Sequence, residues 1–337
     1  MKYCGIDLGT ESTSVCVVTA CGEVVKEKTV ATNGAEIRKA LKGFGKLHCV
    51  VEAAPLAEWL CVEVEKGRHS IDILDPRQAK AVTAGKKKTD KLDARKLAQL
   101  CRTGWYVRVH RKSGRAREMR SYLTARQQIV KMKVAATSTI LGLFRAHGIN
   151  VKRCEGAMFV MRVQAALKTA APMLAEAIVP LLALWRQARE YEREMYKELG
   201  KKVKKEGNEF KLLMSVPSVG PATAAAFVAT IDNPKRFPSS ENVASYLGLT
   251  PSVYQSGKTE YRGRITKLGD KLLRWHLVEA AHNLLSRSRS VCRLRQWGLQ
   301  LVEKKGYAKA KVAVARKLAC LLYHLWLTGE EFNPAAA

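Results

Sequence analysis

The sequence is poor in acidic residues, and its cysteines and histidines form none of the common bridging or metal-binding motifs. It has 30 Asp and Glu against 59 Lys and Arg, which gives a formal net charge of +29. Such a surplus indicates a polyanionic partner, with nucleic acid ranked before an anionic membrane surface. None of the nine cysteines stands in a Cys-x-x-Cys motif, and no histidine pair has zinc-site spacing. A disulfide scaffold and a zinc module are therefore disfavoured, and buried thiols in a reducing compartment are expected.

Long apolar runs are also absent. The most apolar region, residues 157–185, is interrupted by Arg162, Lys168 and Glu176, so it lacks a clean stretch of bilayer-spanning length. The N-terminus carries Asp7 where a signal peptide needs its apolar stretch. These features predict a cytoplasmic protein with no membrane partner. A length of 337 residues predicts about two domains.

Strand-like and helix-like stretches alternate over the first third of the chain. Three β-branched, apolar stretches within residues 2–30 are separated by tight turns and predict a meander. Two further strands, at 47–53 and 71–74, each follow a predicted helix, the first of which Asn33 can cap. This order is typical of an α/β layer built on a mixed sheet.

Four carboxylates in this part have positions suited to a metal site. Asp7 and Glu52 are the polar ends of two apolar strands, and Asp90 and Asp93 lie three residues apart on one helix face. Hard oxygen ligands suit Mg²⁺ or Mn²⁺, and such an ion could bind a phosphate oxygen and polarise the reacting group. The four residues therefore form a candidate divalent-metal site.

A structural interpretation of the same acids is equally open at this point. Asp7 and Glu52 would then accept hydrogen bonds in turns, and Asp90 and Asp93 would serve as a helix N-cap and as ion-pair partners of Lys91 and Arg95. The lysine run just before these acids is ordinarily a solvated loop, but beside a metal site it could hold a nucleic-acid backbone. Its members are Lys86, Lys87 and Lys88.

Two long stretches without turn signals follow, from 115 to about 147 and from about 157 to 205, separated by Gly148. They are rich in helix formers and predict two long helices paired as an antiparallel hairpin or coiled coil. Pro172 and Pro180 are expected to kink the second helix.

The pattern changes at residues 212–226. A short Pro217 to Gly220 turn leads into an alanine-rich helix, which resembles a helix-hairpin-helix element. The helix N-terminus after Gly220 would offer backbone N–H groups to a phosphate. Ser218 stands where a common version of the element has glycine, and a plain helical corner is the alternative.

Ser256 lies beside Gly257 in a stretch dense in cations, where the glycine frees the backbone to bend and expose the hydroxyl. A hydroxyl in such surroundings could attack a phosphodiester, and the alternative is a polar turn whose serine caps a neighbouring group. The candidate phosphate-binding cations are Lys258, Arg262, Arg264, Lys267, Lys271 and Arg274.

With these residues assembled, the chain resembles the bridge-RNA-guided insertion-sequence recombinases, also called DEDD transposases, over nearly its whole length. In the N-terminal part the resemblance rests on Gly5-Ile6-Asp7, Val51-Glu52-Ala53, Thr89-Asp90 and Asp93-Ala94-Arg95. In the C-terminal part it rests on Val216-Pro217, Gly220-Pro221, Phe237-Pro238-Ser239, Leu247 to Pro251, Tyr254-Gln255-Ser256-Gly257 and Arg264 to Asp270. The chain departs from the family at Ser218, where glycine is usual, and at Ala54, where a small polar residue often follows the acid.

The resemblance implies three regions. They are an α/β RuvC-like domain with the RNase H fold at 1–112, a long helical hairpin or coiled coil at 113–208, and a mainly α transposase domain with a helix-hairpin-helix-like element at 209–337. In that family the serine forms a phosphoserine link to DNA, and the acidic quartet holds Mg²⁺, with Mn²⁺ as the alternative, at a composite site shared between protomers. A guide RNA pairs with target and donor double-stranded DNA, and the protein acts as a homo-oligomer, a dimer that becomes a tetramer in the synaptic complex.

Carried onto this chain, Ser256 is the nucleophile, and Asp7, Glu52, Asp90 and Asp93 are catalytic metal ligands. The runner-up is a RuvC-like, metal-dependent, structure-specific nuclease in which Ser256 is incidental. A sugar kinase or Hsp70-like ATPase is disfavoured, because the second phosphate loop and adenosine-binding glycine pair are missing. A non-catalytic nucleic-acid scaffold would leave the five side chains unexplained.

Overall fold

The computed structural model describes residues 1–75, 89–154, 156–256 and 259–335. These residues form two compact units, Met1–Arg111 and Lys112–Ala337, each with its own hydrophobic core. No helix in the described ranges has the length and hydrophobicity needed to cross a bilayer.

The N-terminal unit is built on a five-stranded mixed sheet in the order β3-β2-β1-β4-β5. Its strands are β1 Lys2–Leu8, β2 Ser12–Val18, β3 Val24–Ala31, β4 Leu47–Glu52 and β5 Ser70–Leu74. The first three form an antiparallel meander, and β4 and β5 join in parallel. The predicted meander and mixed sheet are therefore confirmed.

Helices cover both faces of this sheet. They are α1 Gly34–Leu41, α2 Ala57–Lys66 and α3 Asp90–Thr103. Helices α1 and α2 bury their apolar sides against one face, whereas α3 packs on the other face through Ala94, Leu97, Ala98 and Cys101. The side chain of Asn33 accepts a hydrogen bond from the Glu36 N–H at the start of α1, which confirms the predicted cap.

The C-terminal unit begins with long helices. They are α4 Gly114–Ala146, α5 Ala157–Leu167 and α6 Pro172–Lys205. Helices α4 and α6 pack antiparallel, since Arg115 contacts Glu206 at one end and Thr137 contacts Trp185 farther along. The prediction of one kinked helix over 157–205 is wrong at Pro172, which starts α6 instead of kinking it. Proline is favoured in a first turn because its missing N–H would have no helical partner there.

The remainder of this unit is mostly helical. Its elements are α7 Asn208–Met214, α8 Pro221–Ile231, a short 3₁₀ turn Pro234–Arg236, α9 Ser240–Tyr246, the hairpin β6 Pro251–Ser256 and β7 Thr259–Ile265, α10 Lys271–Ser286, α11 Arg293–Lys305 and α12 Tyr307–Thr328. Residues Ala222 to Ile231 of α8 are all buried. Their small alanine side chains let the neighbouring helices approach closely, so α8 lies at the centre of the core.

Lys112, which no sequence motif indicated, binds the C-terminal end of α8. The Lys112 ammonium donates to the carbonyl oxygens of Ala229, at 3.2 Å, and Thr230, at 2.7 Å. A cation at a helix C-terminus satisfies orphan carbonyls and complements the dipole. Burial lowers the pKa of Lys112 to about 8, and the nearby cations Arg120 and Arg236 act in the same direction.

His276 on α10 is expected to make the stability of the protein depend on pH. Its residue exposure is 5%, and burial, followed by the charge of Arg126, lowers its pKa to about 4. Between the ordinary value near 6.5 and about 4, the unfolded chain binds a proton that the folded chain does not bind. The stabilising contribution is therefore complete above pH 6.5 and is lost as the pH falls through 4. The loss is up to about 3 kcal/mol.

Urea unfolding between pH 7 and pH 4 checks this expectation. His276→Gln should flatten the fall in unfolding free energy over that interval, because the titrating group is gone. His147→Gln, at an exposed histidine, should leave the fall unchanged. Equal pH dependence in His276→Gln and the wild type would contradict the assignment.

Candidate active site

Asp7 and Glu52 lie at neighbouring strand ends. The last register pair between β1 and β4 joins Ile6 to Val51, and each acid is the next residue on its strand. Ile6 and Val51 are buried in the core on the α1–α2 face. Because strand side chains alternate, Asp7 and Glu52 lie on the opposite face, which carries α3. Both acids are half-buried.

Gly5 sets the position of α3 on that face. A Cβ atom on Gly5 would lie 2.1 Å from the carbonyl oxygen of Ala94 and 2.2 Å from the backbone nitrogen of Ala98. Only a residue without a side chain allows the helix backbone to approach the strand this closely. This contact anchors the middle of α3 over the middle of β1.

Helix α3 runs opposite to β1 in direction. Ala94 lies at Gly5, whereas the Cys101 thiol donates at 3.2 Å to the carbonyl of His48, the register partner of Tyr3. Asp90 is one turn before Ala94, about 6 Å along the helix axis. Asp7 is two residues beyond Gly5, about 7 Å along the strand. The acidic first turn of α3 therefore lies toward the end of the sheet that carries Asp7 and Glu52.

The hydrogen bonds and ion pairs in the first turn of α3 differ from those expected if Asp90 and Asp93 had only structural roles. The N-cap is Thr89, whose hydroxyl accepts from the Leu92 N–H at 3.3 Å, so the assignment of that cap to Asp90 is wrong. The partner of Asp93 is Lys96, at 3.6 Å from Nζ to Oδ1. Asp90 is exposed.

Arg95 is not a partner of these acids either. Its guanidinium binds both carboxylate oxygens of Glu27 on β3, with Nε to Oε1 at 2.7 Å and Nη2 to Oε2 at 2.9 Å. Hydrogen bonding from Arg95 is the largest cause that lowers the pKa of Glu27. This bidentate pair ties α3 to the meander and leaves Arg95 out of the acidic cluster.

The four acids thus share one face and one end of the sheet, but they do not converge. Among the described residues, no group of three or more His, Cys, Asp or Glu side chains lies close enough to hold a metal ion. The donor set itself, four carboxylates, has the hard oxygen chemistry that divalent cations such as Mg²⁺ prefer. Binding an ion by three or more of them requires side-chain or helix movement.

Ser256 is the last residue of β6 and pairs with Thr259 on β7. Its side chain is exposed. The predicted loop is therefore a β-hairpin, whose two connecting residues, Gly257 and Lys258, lie outside the described residues. The β-branched and aromatic residues on both sides of a short glycine-containing connection are the sequence signal that would have identified the hairpin.

The candidate phosphate-binding cations differ in their surroundings. Arg264, Lys267 and Lys271 are exposed, whereas the Nε of Arg262 donates to Oε1 of Glu260 at 2.7 Å. Arg274 donates to the carbonyl oxygens of Leu247, at 2.9 Å, and Gly269, at 3.0 Å. These bonds hold the backbone at the start of α10. The candidate residues Lys86, Lys87, Lys88 and Lys258 fall outside the described residues.

The turn before α8 joins it to the short helix α7, as expected both for a helix-hairpin-helix element and for a plain helical corner. Gly220 is the N-cap residue of α8, and Pro221 occupies its first turn. Ser218 has φ +69°, in the left-handed region that favours glycine. A non-glycine residue there costs about 1 kcal/mol, because the left-handed conformation favours glycine. The role of Gly220 in phosphate binding stays a prediction.

Two family models match the chain in order. Residues 4–148 match the model DEDD_Tnp_IS110, described as "Transposase". Residues 210–295 match "Transposase IS116/IS110/IS902 family". The first match contains Asp7, Glu52, Asp90 and Asp93, and the second contains Ser256.

Similar whole proteins carry transposase names. The chain is 26% identical to "Transposase for insertion sequence element IS1111A" of Coxiella burnetii, over 100% of this chain and 92% of that protein. It is 22% identical to "Transposase for insertion sequence element IS1328" of Yersinia enterocolitica, over 98% of both chains. Among solved structures, T. thermophilus RuvC in complex with Holliday junction substrate is 16% identical, with a TM-score of 0.28 over 32% of this chain and 99% of RuvC.

Proposed function

We propose that this transposase of the IS110/IS116 family, which carries a DEDD segment, cuts and rejoins DNA through a covalent phosphoserine intermediate. The observation that carries the proposal is the exposure of Ser256 at the tip of a hairpin, inside the segment that matches the IS116/IS110/IS902 family. Exposure at a strand end leaves the hydroxyl accessible to a large substrate such as duplex DNA.

The proposed reaction conserves the number of phosphate ester bonds. The Oγ of Ser256 loses its proton and attacks a phosphorus atom of the DNA backbone, the bond from that phosphorus to one DNA oxygen breaks, and that oxygen takes up a proton. The DNA strand is then esterified to Ser256. A DNA hydroxyl attacks the same phosphorus in the reverse sense, which releases Ser256 and rejoins the DNA. No ATP is needed, because each ester bond broken is replaced by another.

Exposed cations around the hairpin would hold the DNA backbone. Arg264, Lys267 and Lys271 are exposed and would bind phosphate oxygens, lowering the cost of bringing a nucleophile to an anionic centre. The net charge of +29 favours long polyanions as partners. We propose that this charge binds target and donor double-stranded DNA and a noncoding guide RNA. The protein would act as a homo-oligomer, a dimer that becomes a tetramer when both DNAs are bound.

The four acids would hold the divalent cation that the DEDD segment implies. Asp7, Glu52, Asp90 and Asp93 share one face and one end of the N-terminal sheet, as the register of β1 with β4 and the packing of α3 on Gly5 require. Bound there, Mg²⁺ or Mn²⁺ would neutralise phosphate charge and polarise the reacting oxygen. The carboxylates would hold the ion through their oxygen atoms, the ligands that such cations prefer.

A denaturing gel tests the proposed intermediate. The wild-type protein is incubated with the noncoding RNA encoded beside its gene, Mg²⁺ and labelled target DNA, and then treated with SDS. A protein–DNA band that survives SDS, with the attachment mapped by mass spectrometry to the peptide containing Ser256, is the expected result. Nicked DNA with free ends and no adduct would replace the proposal by a metal-dependent nuclease activity.

Asp90→Asn is expected to raise the Mg²⁺ concentration needed for half-maximal adduct formation by about tenfold, because one anionic ligand becomes a neutral amide. Glu36→Gln is the matched control, since it removes an acid from the first turn of another helix of the same unit. A Mg²⁺ titration of all three proteins makes the comparison. The metal assignment fails if Asp90→Asn and the wild type have the same titration midpoint.

A further inference from the structure

The hairpin that carries Ser256 also carries two tyrosines in register. Tyr254 pairs with Tyr261, and Ser256 pairs with Thr259. Residues directly opposite in an antiparallel pair lie on the same face, as do residues two apart on one strand. Both tyrosine rings and the Ser256 hydroxyl therefore lie on one face of the hairpin. The step from Tyr254 to Ser256 is about 7 Å along the strand.

Both rings are open to solvent to an extent that is unusual for tyrosine. Tyr254 is 68% exposed and Tyr261 is 65% exposed, whereas Tyr323, in the core of the same unit, is 4% exposed. Two large rings at opposite positions of a two-stranded hairpin gain little from folding, because they bury little apolar area. Their exposure is better explained by a ligand that covers them.

The surrounding charge identifies the class of ligand. Arg262 pairs with Val253, so Arg262 and Arg264 lie on the face opposite the rings, where the side chain of Arg262 is 73% exposed. The exposed Lys267 follows the end of β7. Solvent-facing aromatic rings on an element that also carries exposed cations are typical of proteins that bind unpaired nucleic acid, because the rings stack on bases while the cations bind phosphates. These exposed charges disfavour the binding of an apolar protein surface.

We propose that Tyr254 and Tyr261 form a stacking platform for an unpaired base of the DNA strand that Ser256 attacks. This inference rests on the proposed function of Ser256 and adds how the strand is positioned. The face of a base is accessible only when the base is unstacked from its neighbour, so the platform selects a locally opened strand. Holding one base on the rings fixes the adjoining phosphodiester relative to the hydroxyl, which is the orientation that direct displacement at phosphorus needs.

The test measures stacking separately from chemistry. Full-length protein is titrated into a short single-stranded DNA that carries 2-aminopurine, a fluorescent base whose emission is quenched by stacking. Tyr254→Ala and Tyr261→Ala are each expected to weaken binding about tenfold and to remove the quenching, because each deletes a stacking surface. Tyr254→Phe and Tyr261→Phe keep the ring and are expected to bind and quench as the wild type does.

Val253→Ala is the matched control, since Val253 is 56% exposed and alternates with Tyr254 onto the other face of the hairpin. It should bind as the wild type does. Alanine variants that bind and quench normally would overturn the platform. Phenylalanine variants that bind as weakly as the alanine variants would also overturn it, because the hydroxyls and not the rings would then make the contact.

The outcomes also separate this proposal from the one on which it rests. An adduct at Ser256 together with normal binding by both alanine variants removes the platform and leaves the phosphoserine reaction standing. If the alanine variants lose the quenching but the wild type forms no adduct, the phosphoserine reaction is overturned and the platform stands as a binding site. Dissociation of an oligomer by the alanine variants, with DNA binding unchanged, would assign the rings to a second copy of the chain and overturn the proposal.

Discussion

Ser256→Ala is expected to abolish the covalent protein–DNA adduct and strand transfer, with a loss of about four orders of magnitude or more. A methyl group cannot form an ester with phosphorus, and no rearrangement of neighbouring groups restores the missing oxygen. Binding of DNA and RNA should persist, because the exposed Arg264, Lys267 and Lys271 are unchanged. The measurement is the SDS-resistant band on a denaturing gel, together with a binding titration of the same protein preparation.

Ser252→Ala is the matched control for this variant. Ser252 lies on the same strand, and its Oγ would be 2.4 Å from a Cβ atom on Gly263, which shares the face of Tyr261 on β7. Its loss removes a hydroxyl from the hairpin without touching the proposed nucleophile, so adduct formation should stay within about twofold of the wild type. An adduct that survives in Ser256→Ala would remove Ser256 as the nucleophile.

Gly5→Ala is expected to destabilise the N-terminal unit by about 3 kcal/mol. The new Cβ would lie 2.1 Å from the carbonyl oxygen of Ala94 and 2.2 Å from the nitrogen of Ala98. Both are backbone atoms of α3, so no flexible side chain can move aside, and the helix must lift from the sheet. Because α3 carries Asp90 and Asp93, the proposed metal-dependent activity should fall together with stability.

The same substitution elsewhere in the chain provides the control. Gly142 lies inside α4, and a Cβ there meets nothing within 4 Å. Gly142→Ala should stabilise the protein by up to about 1 kcal/mol, since alanine is the better helix former. Urea unfolding gives the free energies, and hydrogen exchange of the α3 amides locates the change. A Gly5→Ala protein as stable as the wild type, with α3 amides equally protected, would contradict the close packing.

Local patterns along the chain were sufficient to predict much of the N-terminal unit. The meander, the two later strands and the Asn33 cap each depend on residues close in sequence, and the structure confirms all of them. The break at Pro172 was missed, because a proline in a helix-rich stretch is compatible with both a kink and a helix start. The hairpin whose first strand ends at Ser256 was not predicted, because Gly257 was interpreted only as the residue that exposes the serine hydroxyl.

The candidate site divides in the same way between sequence and tertiary structure. Residue types and order alone determined the basic charge, the acids at the ends of β1 and β4, the acidic turn that begins α3, and a serine among cations. Pairings between distant residues decided the rest, since no local rule specifies which surfaces meet. They placed α3 against Gly5 and gave Arg95 to Glu27 and Arg274 to backbone carbonyls. They also brought Tyr261 opposite Tyr254 beside Ser256, because strand register depends on the pairing of both strands.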